Sequence, residues 1–98
     1  MKYEYRDSEL ERLAIEPSFN AGFAAEVVKA YRKRVQQIHA ATDERDLLAL
    51  RSLRFKKLKG KRSHQYSIRL NLQWRLIFEI ESSDSGNVIH LVGIEDYH

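Results

Sequence analysis

The 98-residue sequence predicts an α+β fold, with an N-terminal strand and helices packed on one face of a small, mainly antiparallel sheet. Two periodicities favour this class. Apolar residues in the first half recur every three or four positions, as on one face of a helix, whereas those in the second half alternate with polar residues, as in a strand. A chain of this length builds one core and not two, so we expect a single domain over residues 1–98.

The N-terminal segment predicts a strand followed by a helix. Tyr3 and Tyr5 alternate with charged residues, which indicates a short strand at or near a sheet edge. Ser8 and Glu11 have the spacing of a capping box, in which the serine oxygen accepts a backbone N–H and the glutamate reaches back. We therefore expect a helix that begins at Ser8 and is stopped by Pro17.

The longest predicted helix spans residues 21–41, where apolar side chains recur at helical spacing. Its apolar face consists of Phe23, Val27, Tyr31, Val35 and Ile38. The lysines and arginines of this segment lie mostly off that face and are typical of a solvated helix surface. Asp43 can cap a third, short helix that ends at Leu50. Leu47, Leu48 and Leu50 are expected to complete the helical layer.

The second half predicts strands. A short strand or extended run around residues 55–58 precedes a turn at Gly60, and a hairpin with strict alternation follows. The apolar positions of that hairpin are Tyr66, Ile68, Leu70, Trp74, Leu76, Phe78 and Ile80. Because neighbouring side chains of a strand point to opposite faces, Arg69 and Arg75 are expected together on the other face. After a turn at residues 82–87, the apolar run of residues 88–94 predicts a strand covered on both faces.

The excess of positive charge lies in one part of the chain, since residues 1–50 hold eight basic and nine acidic residues. Residues 51–75 hold nine Lys or Arg and no Asp or Glu, whereas residues 76–98 hold five acidic residues and no basic one. Such a patch is typical of a protein that binds a phosphate-rich partner, although solvated lysines also occur on surfaces that bind nothing. The candidate RNA-binding residues are Lys56, Lys57, Lys61, Arg62 and Arg69.

Several classes of protein are excluded or disfavoured. The sequence contains no cysteine, so it can form neither a disulfide nor a cysteine-ligated metal site. The four histidines lack metal-ligand spacing, and the lysines around Gly60 do not form a phosphate-binding loop, so we expect no metal and no cofactor. No apolar run is long enough for a membrane span and the N-terminus lacks a signal peptide, so a cytoplasmic location is expected.

The last three residues, Asp96, Tyr97 and His98, follow directly after the last predicted strand. Polar tails are common at chain ends and often have no function. An antiparallel sheet, however, could bring this tail near Lys59 and Arg75. RNA cleavage without metal needs a base for the 2′-hydroxyl proton, an acid for the leaving 5′-oxygen and cations for the extra charge on phosphorus. These five side chains could fill those roles.

Four segments together resemble the HigB-type toxins of the RelE/ParE superfamily. They are Leu58-Lys59-Gly60, Tyr66-Ser67-Ile68-Arg69, Gln73-Trp74-Arg75-Leu76-Ile77-Phe78 and Glu95-Asp96-Tyr97-His98. The resemblance is close from Leu58 to the C-terminus, and the order of helices before sheet agrees over the rest. It implies a RelE-like, microbial-RNase-type fold and a toxin that cleaves messenger RNA on the translating ribosome. It also implies a helix-turn-helix antitoxin of the HigA type, which joins the toxin in a hetero-oligomer.

The resemblance also suggests roles for individual residues. Lys59 and Arg75 match the cations that stabilise the phosphorane, and Asp96, Tyr97 and His98 match the tail that supplies acid-base chemistry. Some relatives have a histidine three residues before the motif lysine, where this chain has Lys56.

Two other functions are compatible with the same residues. A toxin of this fold could act by binding alone, as a gyrase poison or an inhibitor of ribosome biogenesis. The chain could also be a basic RNA-binding module without catalysis. Both would need the basic patch but not His98, so the C-terminal residue discriminates between cleavage and binding.

Overall fold

In a computed structural model, which describes residues 1–96, helices pack on one face of a five-stranded sheet. Tyr97 and His98, assigned above to the catalytic tail, lie outside the described residues. The strands are β1 (Lys2–Tyr5), β2 (Lys56–Lys57), β3 (Gln65–Arg69), β4 (Trp74–Glu81) and β5 (Val88–Asp96). The helices are α1 (Ser8–Ile15), α2 (Ala25–Ala40) and α3 (Glu44–Ala49), and single 3₁₀ turns occupy Arg51–Leu53 and Gly60–Arg62. The predicted α+β class is confirmed.

The strand order in the sheet is β1-β5-β4-β3-β2. β1 pairs in parallel with β5, and the other neighbours pair antiparallel. The predicted N-terminal edge strand and the mainly antiparallel sheet are therefore both confirmed. This order places the long strand β4, which carries Arg75, between β3, which carries Arg69, and β5, which ends at Asp96.

The hydrophobic core lies between the helices and one face of the sheet. Tyr31 and Ile38 of α2 and Leu76, Phe78 and Leu91 of the sheet are each fully buried. The Tyr31 hydroxyl donates a hydrogen bond of 2.8 Å to the Leu10 carbonyl, which ties α2 to α1. Burial raises the pKa of the Tyr31 phenol far above its ordinary value, so this side chain stays neutral and donates. The predicted apolar faces of the helix and of the hairpin thus pack against each other.

The first helix begins at Ser8, as predicted, but its capping residue and the first residue of α2 differ from the sequence prediction. Asp7, and not Ser8, caps α1, since its Oδ1 accepts the Leu10 N–H at 2.8 Å. An aspartate satisfies this N–H as well as a serine does, and its charge also suits the positive end of the helix. α2 begins at Ala25 and not at residue 21, because Ala21 and Gly22 have φ angles of 52° and 83°. A right-handed helix cannot include these left-handed conformations.

Two predictions about burial were wrong. Leu47 is buried, but Leu48 and Leu50 are 53% and 41% exposed, because a helix of six residues turns only one position towards the core. Strand β5 is not covered on both faces: Ile89 and Leu91 are its buried side chains. All three helices contribute to the core on the side of the sheet to which these two residues point. We call the opposite side the open face.

Candidate active site

A cleft of about 340 Å³ lies on the open face, where the ends of several strands meet. It is lined by Lys56, Leu58, Lys59, Arg62, Ser67, Arg75, Ile77, Glu95 and Asp96. Four of these side chains are cationic and two are carboxylates. Cations beside a strand end that supplies carboxylates can bind an anion and provide groups for proton transfer. We call this the basic cleft.

The pairing of three strands assembles the basic cleft. Arg75 of β4 lies opposite Arg69 of β3 on one side and opposite Glu95 of β5 on the other. Residues that pair directly across strands share a face, so these side chains form one row on the open face. Lys59 enters from the turn after β2, where Gly60 adopts a left-handed φ of 65°. The last described residue, Asp96, ends β5 beside this row.

Arg75 is held in a fixed position although it is a charged residue. It is only 8% exposed. Its Nε donates to the Ser67 hydroxyl at 2.8 Å, and its Nη2 donates to the Arg54 carbonyl at 2.6 Å. A buried guanidinium is costly unless it is hydrogen-bonded, and these two acceptors offset that cost. The sheet therefore presents a pre-oriented cation at the floor of the cleft.

Arg62 forms an ion pair with another residue of the same chain, Glu95. Its two terminal nitrogens donate to the two carboxylate oxygens of Glu95 at 2.8 and 2.7 Å, and its Nε donates to Gln65 at 2.9 Å. The hydrogen bonds to Glu95 raise the pKa of the Arg62 guanidinium. This two-point ion pair joins the turn after β2 to the end of β5. It also offsets much of the charge that Arg62 would otherwise present to a phosphate.

Asp96 is anchored at the end of β5. It pairs with Trp74 across the strands, and its Oδ2 accepts a hydrogen bond of 2.9 Å from the Gln73 side chain. The Trp74 ring packs edge-on against Phe23, with 5.2 Å between ring centroids. The strand end is thus held in place at the point from which Tyr97 and His98 continue.

The structure brings together some of the predicted site residues and separates others. Lys56, Lys59, Arg62, Arg75 and Asp96 all line the basic cleft. Arg69 lies in the same row as Arg75, and its Nε donates to the Asn71 carbonyl at 3.3 Å.

Lys57 and Lys61 do not line the basic cleft. Lys57 pairs with Tyr66, whose side chain packs against the core, so the register directs Lys57 away from the open face. Lys61 is exposed on a 3₁₀ turn beside the cleft. The predicted contacts of both lysines with RNA stay predictions.

Sequence reasoning missed three residues that shape the site. Ser67 accepts the hydrogen bond from Arg75, Glu95 pairs with Arg62, and Gln73 holds Asp96. The alternation of the hairpin already placed Ser67 on the same face as Arg75, so that signal could have found it. Glu95 and Gln73 had no comparable signal, because their partners lie far away in the sequence.

Two histidines of the described chain, His90 and His39, have structural surroundings, whereas the side chain of His64 is 62% exposed. His90 lies between two carboxylates, with its ring nitrogens 3.5 Å from Glu4 and 3.1 Å from Glu81. His39 packs edge-on against Tyr3. Within residues 1–96, no group of three His, Cys, Asp or Glu side chains could hold a metal ion. None of the helices in that range has the length and hydropathy needed to cross a membrane.

Comparison with protein families gives a match over nearly the whole sequence. The family model described as "RelE-like toxin of type II toxin-antitoxin system HigB" matches residues 3–98. Among solved structures, a YoeB/ParE toxin from Agrobacterium tumefaciens is similar, with a TM-score of 0.62 and 13% sequence identity over 100% of both chains. At this identity the likeness shows the fold alone. No functionally curated protein matches the chain in sequence.

Proposed function

Because the chain belongs to the RelE-like toxins of HigB type II toxin-antitoxin systems, we propose that it is an endoribonuclease that cleaves messenger RNA on the translating ribosome. A type II toxin has a protein antitoxin as its partner. We further propose that this antitoxin is a HigA-like helix-turn-helix protein, that the two form a hetero-oligomer, and that the toxin acts in the cytoplasm.

The basic cleft is the observation that supports this proposal. Lys59 and Arg75 line it together with Asp96, and the chain continues from Asp96 to Tyr97 and His98. A phosphodiester bound between the lysine and the arginine would lie in the cleft that Asp96 also lines. Arg75 is on a central strand of the sheet, which keeps its loss of conformational freedom on binding small, and Lys59 reaches the cleft from the turn after β2.

The reaction would proceed by attack of the ribose 2′-oxygen on the adjacent phosphorus. The bond from phosphorus to the 5′-oxygen breaks, which leaves a 2′,3′-cyclic phosphate and a 5′-hydroxyl. One group of the tail takes the proton from the 2′-hydroxyl, and another gives a proton to the leaving 5′-oxygen. Asp96, Tyr97 and His98 are the proposed acid-base groups. Lys59 and Arg75 stabilise the additional negative charge on the phosphorane oxygens.

Expression of the chain without its antitoxin tests the proposal. We expect new messenger-RNA ends that accumulate while translation proceeds and that disappear when initiation is blocked. Lys59→Ala should lose this cleavage, whereas Lys33→Ala, which removes an exposed lysine from α2, serves as the matched control. Growth arrest without new RNA ends would contradict the nuclease and favour a toxin that acts by binding, and supercoiling defects would then indicate gyrase.

A His98→Gln variant tests the acid-base chemistry. Loss of a general acid or base typically lowers the rate by about 10² to 10⁴-fold, and we expect a loss in this range. The pH-rate profile should also lose the limb to which the imidazole contributes. An unchanged rate in a variant that still binds ribosomes would remove His98 from the mechanism.

A further inference from the structure

Two buried polar side chains of the open face bond to each other: Ser67 is 0% exposed and Arg75 is 8% exposed. The other buried side chains in residues 1–96 are apolar except for the Tyr31 hydroxyl, which donates to the Leu10 carbonyl. A buried hydroxyl contributes less to stability than an apolar side chain that fills the same space. Stability alone therefore does not explain a serine at this position. The bond that Ser67 makes to Arg75 does.

The bond fixes the direction of the guanidinium. Nε–H points sideways from the arginine stem, so its hydrogen bond of 2.8 Å to Ser67 Oγ limits rotation of the planar group. The 2.6 Å bond from Nη2 to the Arg54 carbonyl adds a second fixed point. Arg54 itself has a left-handed φ of 51°, which is uncommon for a residue other than glycine. This backbone conformation orients the carbonyl that accepts the hydrogen bond from Arg75.

We propose that Ser67 is a positioning residue for RNA cleavage, which acts through Arg75 by holding its guanidinium in the orientation that meets the charge of the phosphorane. This inference rests on the nuclease function proposed above. Ser67 lies at the floor of the cleft behind the arginine and does not donate to the phosphate itself. Its contribution is to the preorganisation of a charge that acts in the transition state.

The positioning role predicts a separation of rate from binding. Ser67→Ala keeps the positive charge of Arg75 in the cleft, so affinity for RNA should change little. The guanidinium then loses one of its fixed points, and single-turnover cleavage at saturating toxin should fall on the order of 10-fold, as expected for one lost hydrogen bond to a charged group. Ser67→Thr retains the hydroxyl and should restore most of the rate. Affinity is measured with a messenger RNA that carries a 2′-deoxy nucleotide at the cleavage site.

A double-mutant cycle shows whether Ser67 acts through Arg75. In the Arg75→Ala background, Ser67→Ala should have no further effect on the cleavage rate, because the group that it positions is absent. A second, multiplicative loss in that background would overturn the inference. Ile89→Val is the stability control, since it removes one buried methylene from the core face of β5 without touching the cleft.

A spectroscopic measurement keeps the test decisive if Ser67→Ala is unstable. The Arg75 Nε–H of the wild-type protein should give a resolved, slowly exchanging NMR signal, and this signal should be retained in Ser67→Thr. A rapidly exchanging Arg75 Nε–H in the wild type would overturn the positioning role. If Ser67→Ala cleaves at the full rate while Arg75→Ala is inactive, the positioning role of Ser67 is wrong but the proposed nuclease function stands. If the wild-type protein cleaves no RNA, both the nuclease function and the positioning role are wrong.

Discussion

The two faces of the central strands differ, although successive residues of the same strands supply both of them. On the core face, Ile68, Leu76 and Phe78 are each 0% exposed and pack against the helices. On the open face, Ser67 and Arg75 are nearly as buried, yet they are polar and bond to each other. Burial on the first face therefore provides stability, whereas burial on the second fixes the position of a charge.

This difference predicts that substitutions on the two faces separate stability from activity. A core-face substitution should act on the free energy of unfolding and leave the chemistry of the remaining folded protein intact. An open-face substitution should act on cleavage even where the fold survives. The four predictions below test this division, beginning with the largest expected effect.

Phe78→Ala should give the largest loss of stability. The ring is fully buried and contacts Phe55 and Tyr66, with centroid distances of 5.6 and 5.9 Å. Truncation of a buried phenylalanine costs about 3–5 kcal/mol, which a small domain cannot easily tolerate. Urea unfolding followed by circular dichroism measures the loss. A fully stable variant with no cleavage would contradict the division between the two faces.

Arg75→Ala should give the largest loss of activity. Removal of one preorganised electrostatic group typically lowers the rate by about 10² to 10³-fold. The substitution also leaves the Ser67 hydroxyl and the Arg54 carbonyl without this donor, at about 1–3 kcal/mol of unfolding free energy. Single-turnover cleavage and urea unfolding are measured on the same preparation. If the rate is retained in the folded variant, Arg75 does not stabilise the transition state.

The two lysines of β2 provide a comparison across the two faces. Lys56 lines the basic cleft, whereas Lys57 pairs with Tyr66 and is directed away from it. Lys56→Ala should reduce the slope of log affinity for RNA against log salt by about 0.7, the value for one phosphate contact on a single strand. Lys57→Ala should reduce it less. Equal reductions would show that RNA contacts both faces of this edge strand.

Glu79→Gln should have the smallest effect, a small loss of stability at neutral pH that disappears in acid. Glu79 accepts from Gln65 at 3.1 Å and from Arg6 at 2.9 Å. The hydrogen bond from Gln65, together with Arg6, holds the pKa of the Glu79 carboxyl below its ordinary value. Because this pKa is lower in the folded than in the unfolded state, the ionised Glu79 carboxylate stabilises the fold above the unfolded-state pKa of about 4.3. This stabilisation is lost as the pH falls through the pKa of Glu79 in the folded state.

The wild type should therefore exceed Glu79→Gln by at most about 1 kcal/mol at pH 7, the usual limit for an exposed ion pair. The two proteins should converge at pH 3 and below. Urea unfolding at a series of pH values measures the difference. A constant difference from pH 7 to pH 2 would show that packing, and not the charge of Glu79, is responsible.

Much of the fold was predictable because it depends on local patterns. The alternation from Tyr66 to Phe78 predicted both strands of the hairpin and placed Arg69 and Arg75 on one face, and the register confirms this arrangement. The start of α1 at Ser8 was predicted correctly, but its cap was not, because Asp7 and Ser8 are both good capping residues. The start of α2 was predicted four residues too early. The exposure of Leu48 could not be read from its type, because it depends on how a short helix is oriented on the core.

The candidate site was predictable in its residue types but not in its contacts. Lys59, Arg75 and Asp96 were chosen from charge and motif, and they line one cleft. Its internal pairing was not foreseen: the ion pair between Arg62 and Glu95 joins residues 33 positions apart. The acidic residues 76–98 thus partly neutralise the basic residues 51–75, although the sequence shows these two segments as separate blocks of charge.

The sequence by itself determined which side chains share a face, because the direction of each side chain follows from the backbone period of its own strand or helix. It also determined the cationic character of the open face. Only the tertiary structure decided the order of the strands, the parallel pairing of β1 with β5, and the two acceptors that hold Arg75. These depend on contacts between segments distant in the chain, and no local period specifies which distant segment becomes the neighbour.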